Sequence, residues 1–439
     1  MKIGCGAGFL NDRIDPAKEL VKKEDLDYIV FECLAERTLG EILKNVIKGT
    51  KGFAPTLLTR IKEVFPLCFE KGTKIITNEG AADPLDASFQ VAKLLDELGF
   101  NDFSIGVVIG DKITSKEILE KIISVKEGED FLGAFAYLGS EGIVEALKSG
   151  ANIVITGRVA DASLFLAPMI YEFGWELDDW DTLAKGAAIG HLLECCGQVT
   201  GGYFASPPEK NVNDLARLGF PFAEVSKGGD AVISKPRETG GSVTPLTCKE
   251  QVLYEIFDPS HYITPDVIID FSSVEFHKIG EDRVKISGVR GKKRPDSLKV
   301  IAFYKDGYIG EGEISYGGYR AKERAKLAAE VILERLKIRN VEYDDIRVDF
   351  IGVDSLSKTA DLTKYAPPEV RLRVATKTKN LENAKIVCDE VEALLTNGPA
   401  GGGGVNTRTD ELVRVDYAFV PREKIYPKVI ILKSKGVVL

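Results

Sequence analysis

The chain contains no run of the roughly 20 apolar residues that a membrane-crossing helix needs. Its first residues, MKIGCGAGFLNDRID, also lack the apolar core of a secretory signal. A cytoplasmic protein without membrane association is therefore expected. Histidine is scarce: His191, His261 and His277 are the complete set, so a multi-histidine metal centre is excluded and no metal is expected. The seven cysteines (Cys5, Cys33, Cys68, Cys195, Cys196, Cys248 and Cys388) are odd in number and make no C-x-x-C pair. That pattern argues against a zinc site or a disulfide framework and for reduced, mostly buried thiols. Positive charge is not in excess either. The 58 Lys and Arg against 67 Asp and Glu leave a net charge of -9 and no footprint for nucleic acid. No G-x-S-x-G elbow, Walker A loop or H-E-x-x-H occurs.

What is present is a long, mixed chain. Its 439 residues, 44% of them apolar, suffice for two or three domains. Up to about residue 160, short apolar runs (MKIGCGAGF, LDYIVFECL, KIITNEG, DFSIGVVIG, FLGAFAYLG, ANIVITGRV) alternate with helical patterns such as PLDASFQVAKLLDELGF, SKEILEKIISV and EGIVEALKSG. This alternation predicts a doubly wound, mostly parallel α/β sheet, with a (β/α) barrel as the competitor. A further helix, DTLAKGAAIGHLLECCGQ, has Asp181 as a candidate N-cap. The expected division is an α/β domain over 1–235, a mixed β connecting region over 236–300, and an α+β domain over 301–439. The last carries the order β-α-β-β-α-β of ferredoxin-like folds.

In an open parallel sheet, ligands bind beyond the carboxyl ends of the strands. Here those ends are unusually polar. They carry Asp12, Arg13, Glu32, Glu36, Arg37, Asn78, Glu79, Asp83, Asp111, Arg158 and Asp161. Asp83 before Pro84 reads first as a helix cap. Asn78 and Glu79 are not explained by a cap and stand as site candidates. Arg158 before a helix start, with Asp161 or Ser163 able to cap it, offers an anion site or a structural pair with a rim acid. GCGAGF is G-x-G-x-G and departs from the dinucleotide fingerprint, so close backbone packing competes with nucleotide binding. On the helix GHLLECCGQ, His191, Glu194, Cys195 and Gln198 fall on one face. His191 oriented by Glu194 suits acid–base work; a metal pair and a buried polar seam are the alternatives.

Together, the stretches GCGAGF, ITNEGAADP, GRVADASLFLAPMIYEFGW, GHLLECCGQVTGGYFA, TCKEQVLYEIFDP with TPDVIIDFS, and NGPAGGGGVNT resemble the acyclic terpene utilisation (AtuA-like) family. The resemblance covers most of the chain. It implies a link to the breakdown of acyclic terpenoids such as citronellol and geraniol, a route that runs through acyl-CoA thioesters. Related chains can carry a further downstream domain.

The residues and the resemblance lead to one expectation. It is an enzyme acting on a small carboxylate or its CoA thioester by hydration, dehydration or C–C cleavage. Glu32 or Glu79 would be the base, and His191 with Glu194 the proton donor and its orienter. Asn78, Arg158 and Asp161 would bind substrate, Arg158 holding the anionic group. The cofactor is left open. A homo-oligomer is the default, and a small partner subunit is conceivable. The alternative is a non-catalytic acyl-binding subunit of a larger complex. In NGPAGGGGVN, residues 397–406, Gly398 suits a helix end, whereas Gly401, Gly402 and Gly403 need another reason. The expectation is that they close the site, from their own chain or a neighbouring subunit.

Overall fold

A computed structural model describes residues 1–123, 125, 130–357, 367–434 and 436–438. By internal contacts the chain falls into two units: Met1–Glu127, Leu132–Ala302 and Val415–Leu439 in the first, Gly128–Phe131 and Phe303–Arg414 in the second. It is a mixed α/β protein with several sheets. No helix among the described residues is long and apolar enough to cross a membrane.

The first unit is built on β1 (Lys2–Ala7), α1 (Asp15–Lys23), β2 (Tyr28–Phe31), α2 (Glu36–Val46), α3 (Leu57–Lys71), β3 (Lys74–Thr77), α4 (Pro84–Glu97) and β4 (Ser104–Ile109). It continues through β5 (Phe131–Ala136), α5 (Glu141–Lys148), β6 (Ile153–Thr156), α6 (Asp161–Phe173) and α7 (Trp180–Glu194). Strands β1, β2, β3, β6 and β4 run parallel in that spatial order. Tyr28 to Phe31 and Ile153 to Thr156 are buried on both faces, which is why these strands read as unbroken apolar runs. Asp83 caps α4, its Oδ1 accepting from the Asp86 N–H at 3.0 Å, as the Asp-Pro pair predicts.

Two details differ from the sequence reading. The cap of α7 is Asp179, which accepts from Thr182 N, while Asp181 accepts from Gly291 N at 2.8 Å. And β5 lies off the parallel sheet, paired with β14 (Ser297–Gly317). The expected crossover SKEILEKIISV forms only a short helical turn over Ile118–Ile122, with residue 124 outside the described residues. A parallel return is usually carried by a full helix.

The glycine-rich stretch after α7 extends the same sheet rather than forming a unit of its own. β7 (Phe222–Val225) pairs antiparallel with β1, followed outward by β8 (Ala231–Ser234), β12 (Arg283–Ser287) and β11 (Glu275–Gly280). Helix α8 (Pro245–Leu253) precedes a small sheet of β9 (Tyr262–Ile263), β10 (Ile268–Asp270) and β13 (Arg290–Lys292). At the other edge β18 (Lys428–Lys433) pairs antiparallel with β4, and β19 (Gly436–Val438) with β18.

The second unit orders its elements as β14, α9 (Ala321–Ile338), β15 (Asp345–Ile351), β16 (Glu369–Thr378), α10 (Leu381–Asn397) and β17 (Gly402–Pro421), with the sheet order β15-β16-β14-β17. Its core joins Ala325, Ala328 and Ile332 of α9 and Val387, Val391 and Leu394 of α10 to Ile314, Val370, Leu372 and Val374 of the sheet. Those three residues of β16 alternate along the strand, so Arg371 and Arg373 between them project to the opposite face.

Candidate functional site

Within the first unit lies a cavity of about 1280 Å³ at the carboxyl ends of β1, β2 and β6. From these ends come Gly8, Asp12 and Arg13, then Glu32, Glu36 and Arg37, then Arg158 and Asp161. The end of α7 adds Glu194, Cys195 and Gln198, and the small sheet adds Tyr262, Ile263 and Thr264. Parallel strands bring sequence-distant ends to one rim, which is how residues more than a hundred positions apart share one wall.

Glu32 is buried, and both of its described hydrogen bonds fall on one oxygen. Oε1 accepts from Asn78 Nδ2 at 2.9 Å and from Leu34 N at 3.0 Å. Burial, then the negative charge of Asp161, push its carboxyl up to about 8 against the pull of Arg158. Asn78 is itself fixed, its Oδ1 accepting from Cys33 N at 2.8 Å.

Glu194 is buried as well, with Oε1 2.9 Å from His191 Nδ1. The other ring nitrogen of His191 faces the Val252 carbonyl at 3.3 Å. A carbonyl only accepts, so Nε2 carries a hydrogen and one further proton is shared between Nδ1 and Oε1. Burial raises Glu194 to about 7 even against the imidazole. Burial works against the imidazolium, but the Glu194 charge outweighs it and His191 is raised too. His191 is fully buried and is not part of the cavity wall; it stands behind Glu194. Of the helical face read from sequence, Glu194, Cys195 and Gln198 reach the cavity.

Arg158 lines the cavity but directs its donors into the wall. It hydrogen-bonds the carbonyls of Leu34 and Val159 and pairs with Asp161, and the Tyr137 ring lies 4.6 Å from its guanidinium carbon. It thereby ties the start of α2 to that of α6. Neither helix has a side-chain cap: the N-cap positions are Ala35 and Ala160, and Ser163 Oγ donates to Asp266 instead. The structural pairing of Arg158 with a rim acid, one of the two sequence alternatives, is the one seen.

Glu79 does not line the cavity. It is buried against Arg60, with Nη1 to Oε1 at 2.5 Å, and accepts from Thr56 Oγ1 at 2.7 Å. The strand end that delivers Asn78 to Glu32 thus turns Glu79 into a second buried pair. Gly401, Gly402 and Gly403 belong to the second unit. There the preceding Ala400 carbonyl accepts from Arg324 at 2.7 Å, and the open α-carbon of Gly402 faces Ile314 and Tyr316.

Sequence reasoning named Glu36 and Arg37 only as rim residues and missed their surroundings. The Glu36 carboxylate accepts from Tyr137 Oη at 2.7 Å, Tyr417 Oη at 2.5 Å and Lys299 Nζ at 2.9 Å. Burial would raise it, but these three donors hold it below the ordinary carboxylate range. Arg37 is exposed and has no ion-pair partner among the described residues. Tyr137, Tyr262 and Lys299 come from segments that carry no motif, so periodicity gave no signal for them. Cys195 lines the cavity, yet burial and then Glu194 push its thiol up, away from thiolate chemistry. In the GCGAGF loop, a Cβ on Gly8 would lie 2.5 Å from the Cys195 carbonyl carbon, so this glycine is required by close backbone packing. Among the described residues no group of three or more His, Cys, Asp or Glu side chains is arranged to hold a metal ion.

An α/β scaffold with acidic groups tuned by burial at its strand ends is the class that fold and cavity define. The chain belongs to the acyclic terpene utilisation family: the model of the family described as acyclic terpene utilisation family protein AtuA matches residues 1–431. No curated protein matches. Two solved structures show only a distant likeness. A de novo designed protein, Ferredog-Diesel, is 20% identical over 26% of this chain and 88% of its own, with a TM-score of 0.15. An aspartate kinase of Clostridium acetobutylicum is 10% identical over 98% of this chain and 86% of its own, with a TM-score of 0.18.

Proposed function

We propose that the protein is an acid–base enzyme acting on an acyl-CoA thioester in acyclic terpenoid or branched acyl breakdown, adding water to, or removing it from, an α,β-unsaturated acyl group. The observation that carries this reading is a pair of buried carboxyls, Glu32 and Glu194, on one cavity wall, raised to about 8 and about 7. Groups that change protonation near neutral pH are what proton transfer in both directions needs. The cavity also carries the apolar surface an acyl chain requires, from Leu215, Leu218, Phe220 and Ile263. The same reading treats the first unit as a doubly wound scaffold for the site and the second as a ferredoxin-like α+β unit.

Geometry orders the roles. Both donors to Glu32 bind Oε1, so the proton of its neutral form sits on Oε2, which leaves Glu32 as the acid that protonates the α-carbon. Glu194, with His191 Nδ1 behind it to take up charge, is the base that draws a proton from water as its oxygen bonds to the β-carbon. Glu32 or Glu79 was expected as the base from sequence, with His191 and Glu194 on the acid side; the environments of Glu32 and Glu194 favour the opposite order. In dehydration the same two proton transfers run backwards. Arg13, Arg37 and Lys299, rather than Arg158, are the cavity cations available to an anionic part of the substrate, Lys299 while paired with Glu36.

The test is turnover of a panel of straight and methyl-branched enoyl-CoA thioesters, followed by loss of the conjugated absorbance. Glu32→Gln and Glu194→Gln should each lower kcat by roughly 10²- to 10⁴-fold, the usual contribution of a positioned acid or base. Binding without turnover in the unmodified protein would favour the acyl-binding subunit. Unchanged rates in both variants would remove the acid–base assignment.

A further inference from the structure

Tyr262 is a cavity residue that the acid–base scheme above does not use. It sits on β9, held in register by pairing of Tyr262 with Ile269 of β10. Its ring packs in a triangle with two others, 5.2 Å from the centroid of His191 and 6.1 Å from that of Phe271, which lie 6.1 Å from each other. So fixed a ring places its hydroxyl with little rotational freedom. That hydroxyl makes no hydrogen bond to any described residue. The contrast with the neighbouring phenol is plain, because Tyr137 donates to Glu36 at 2.7 Å. Burial first, and then the charges of Glu194 and Asp161, push the Tyr262 phenol well up, so it stays a proton donor throughout the working range.

We infer that the Tyr262 hydroxyl is a further catalytic group, the hydrogen-bond donor to the thioester carbonyl oxygen on which negative charge collects while the α-carbon gains or loses its proton. The inference rests on the proposed acyl-CoA reading. During hydration, the bond from water oxygen to the β-carbon forms as the water proton passes to Glu194. The electron pair of the double bond moves onto the thioester as an enolate. Collapse of that enolate then takes the Glu32 proton at the α-carbon. Tyr262 transfers no proton in either step. It stabilises the enolate oxygen, a charge that neither carboxyl can stabilise and that Arg158, with its donors directed into the wall, does not meet. A neutral donor on a fixed ring is preorganised for this and needs no rearrangement as charge develops.

Tyr262→Phe keeps the ring packed against His191 and Phe271 and removes the hydroxyl alone, so an unchanged melting temperature is its control. The experiment pairs steady-state kinetics on the best enoyl-CoA of the panel with the infrared carbonyl band of a bound saturated acyl-CoA carrying ¹³C at the thioester carbonyl. The expected result is a kcat lowered roughly 10²- to 10³-fold with KM within a few-fold, the cost of losing one oxyanion donor. The carbonyl band, shifted to lower wavenumber in the unmodified protein, should return toward its position in water. Unchanged kcat, or a loss confined to KM, would overturn the donor role. Binding with a Tyr262-dependent band shift but no turnover would leave the donor standing and remove the hydration chemistry. A protein that binds no thioester would remove both.

Discussion

Three buried carboxyls of the first unit and three carboxylates of the second are held in opposite ways. In the first, Glu32, Glu194 and Asp111 are raised to about 8, about 7 and about 6, each chiefly by burial. In the second, Glu311, Asp306 and Glu390 are lowered, although burial acts on them too. Glu311 accepts from Arg373 and Arg408, Asp306 from Lys377 and Lys379, and Glu390 from Arg335 and Arg339. Each of these acids thus meets two cations, Glu311 on the open face of the second sheet and Glu390 between α9 and α10. The first unit instead leaves carboxyls in low dielectric with fewer donors than they could accept. Burial alone does not decide a carboxyl's state; it is weighed against the donors and cations aimed at the group. A lattice of satisfied charges is a surface, whereas unsatisfied carboxyls in a cavity are chemistry waiting for a partner.

Glu79 is where the comparison is most exposed to failure, because it pairs with a cation yet still lies above the ordinary carboxylate range, burial outweighing Arg60. Both partners are about 1% exposed, so removing one strands a charge that water cannot reach. Arg60→Met should cost roughly 3–5 kcal/mol, the usual penalty for breaking a buried pair from one side. Denaturation of the first unit, followed by hydrogen exchange of β3, measures it. A loss below about 1 kcal/mol, the range of a surface pair, would mean that the pair is hydrated and would weaken the contrast.

The sign of pH dependence separates the two units more finely. Glu32 has a folded pKa raised above its unfolded value, so its contribution to stability is fully present in acid and is lost as pH rises to about 8. Glu32→Gln, a mimic of the neutral acid, should match the parent near pH 4 and exceed it by a few kcal/mol near pH 9. Glu311 has a depressed pKa, so its contribution is present above the ordinary carboxylate range and is lost as pH falls through its folded value. Glu311→Gln should therefore be destabilising by about 1 kcal/mol at neutral pH, with the difference closing in acid, because its arginine partners are partly exposed. Urea unfolding across pH reads both. Curves of the same sign for the two variants would break the comparison.

Much of this was legible because strand ends announce themselves. A buried parallel strand is apolar throughout, so the first polar residues after it mark the rim; Glu32, Asn78, Arg158 and Asp161 were found that way. What periodicity could not supply was the partner of each charge. Arg60 lies in an ordinary helical stretch, and nothing local ties it to Glu79. The same holds for Tyr137, Tyr262 and Lys299, which reach the cavity from a peripheral strand, a two-residue strand and the start of β14. The position of β5 failed for a related reason: its sequence resembles its neighbours, and its place is decided by pairing with the distant β14, which no local pattern shows.

The glycine run offers the smallest effects, and they discriminate best because its members are not equivalent. Gly401 has φ +73° and a Cβ there would lie 2.9 Å from Arg324 Nη1, beside the bond from Arg324 to the Ala400 carbonyl. Alanine at this position should cost about 1 kcal/mol through the left-handed backbone alone. A Cβ on Gly403 meets nothing within 4 Å and its backbone is unstrained, so Gly403→Ala should change the stability of the second unit by less than about 0.5 kcal/mol. This makes Gly403 the position at which folding and ligand closure come apart. If the run closes a site, Gly403→Ala weakens acyl-CoA binding while the unfolding curve stays in place. If thioester affinity is also unchanged, Gly401 is explained by its turn, Gly402 by its approach to Tyr316, and the run is a strand entrance without a role in the site.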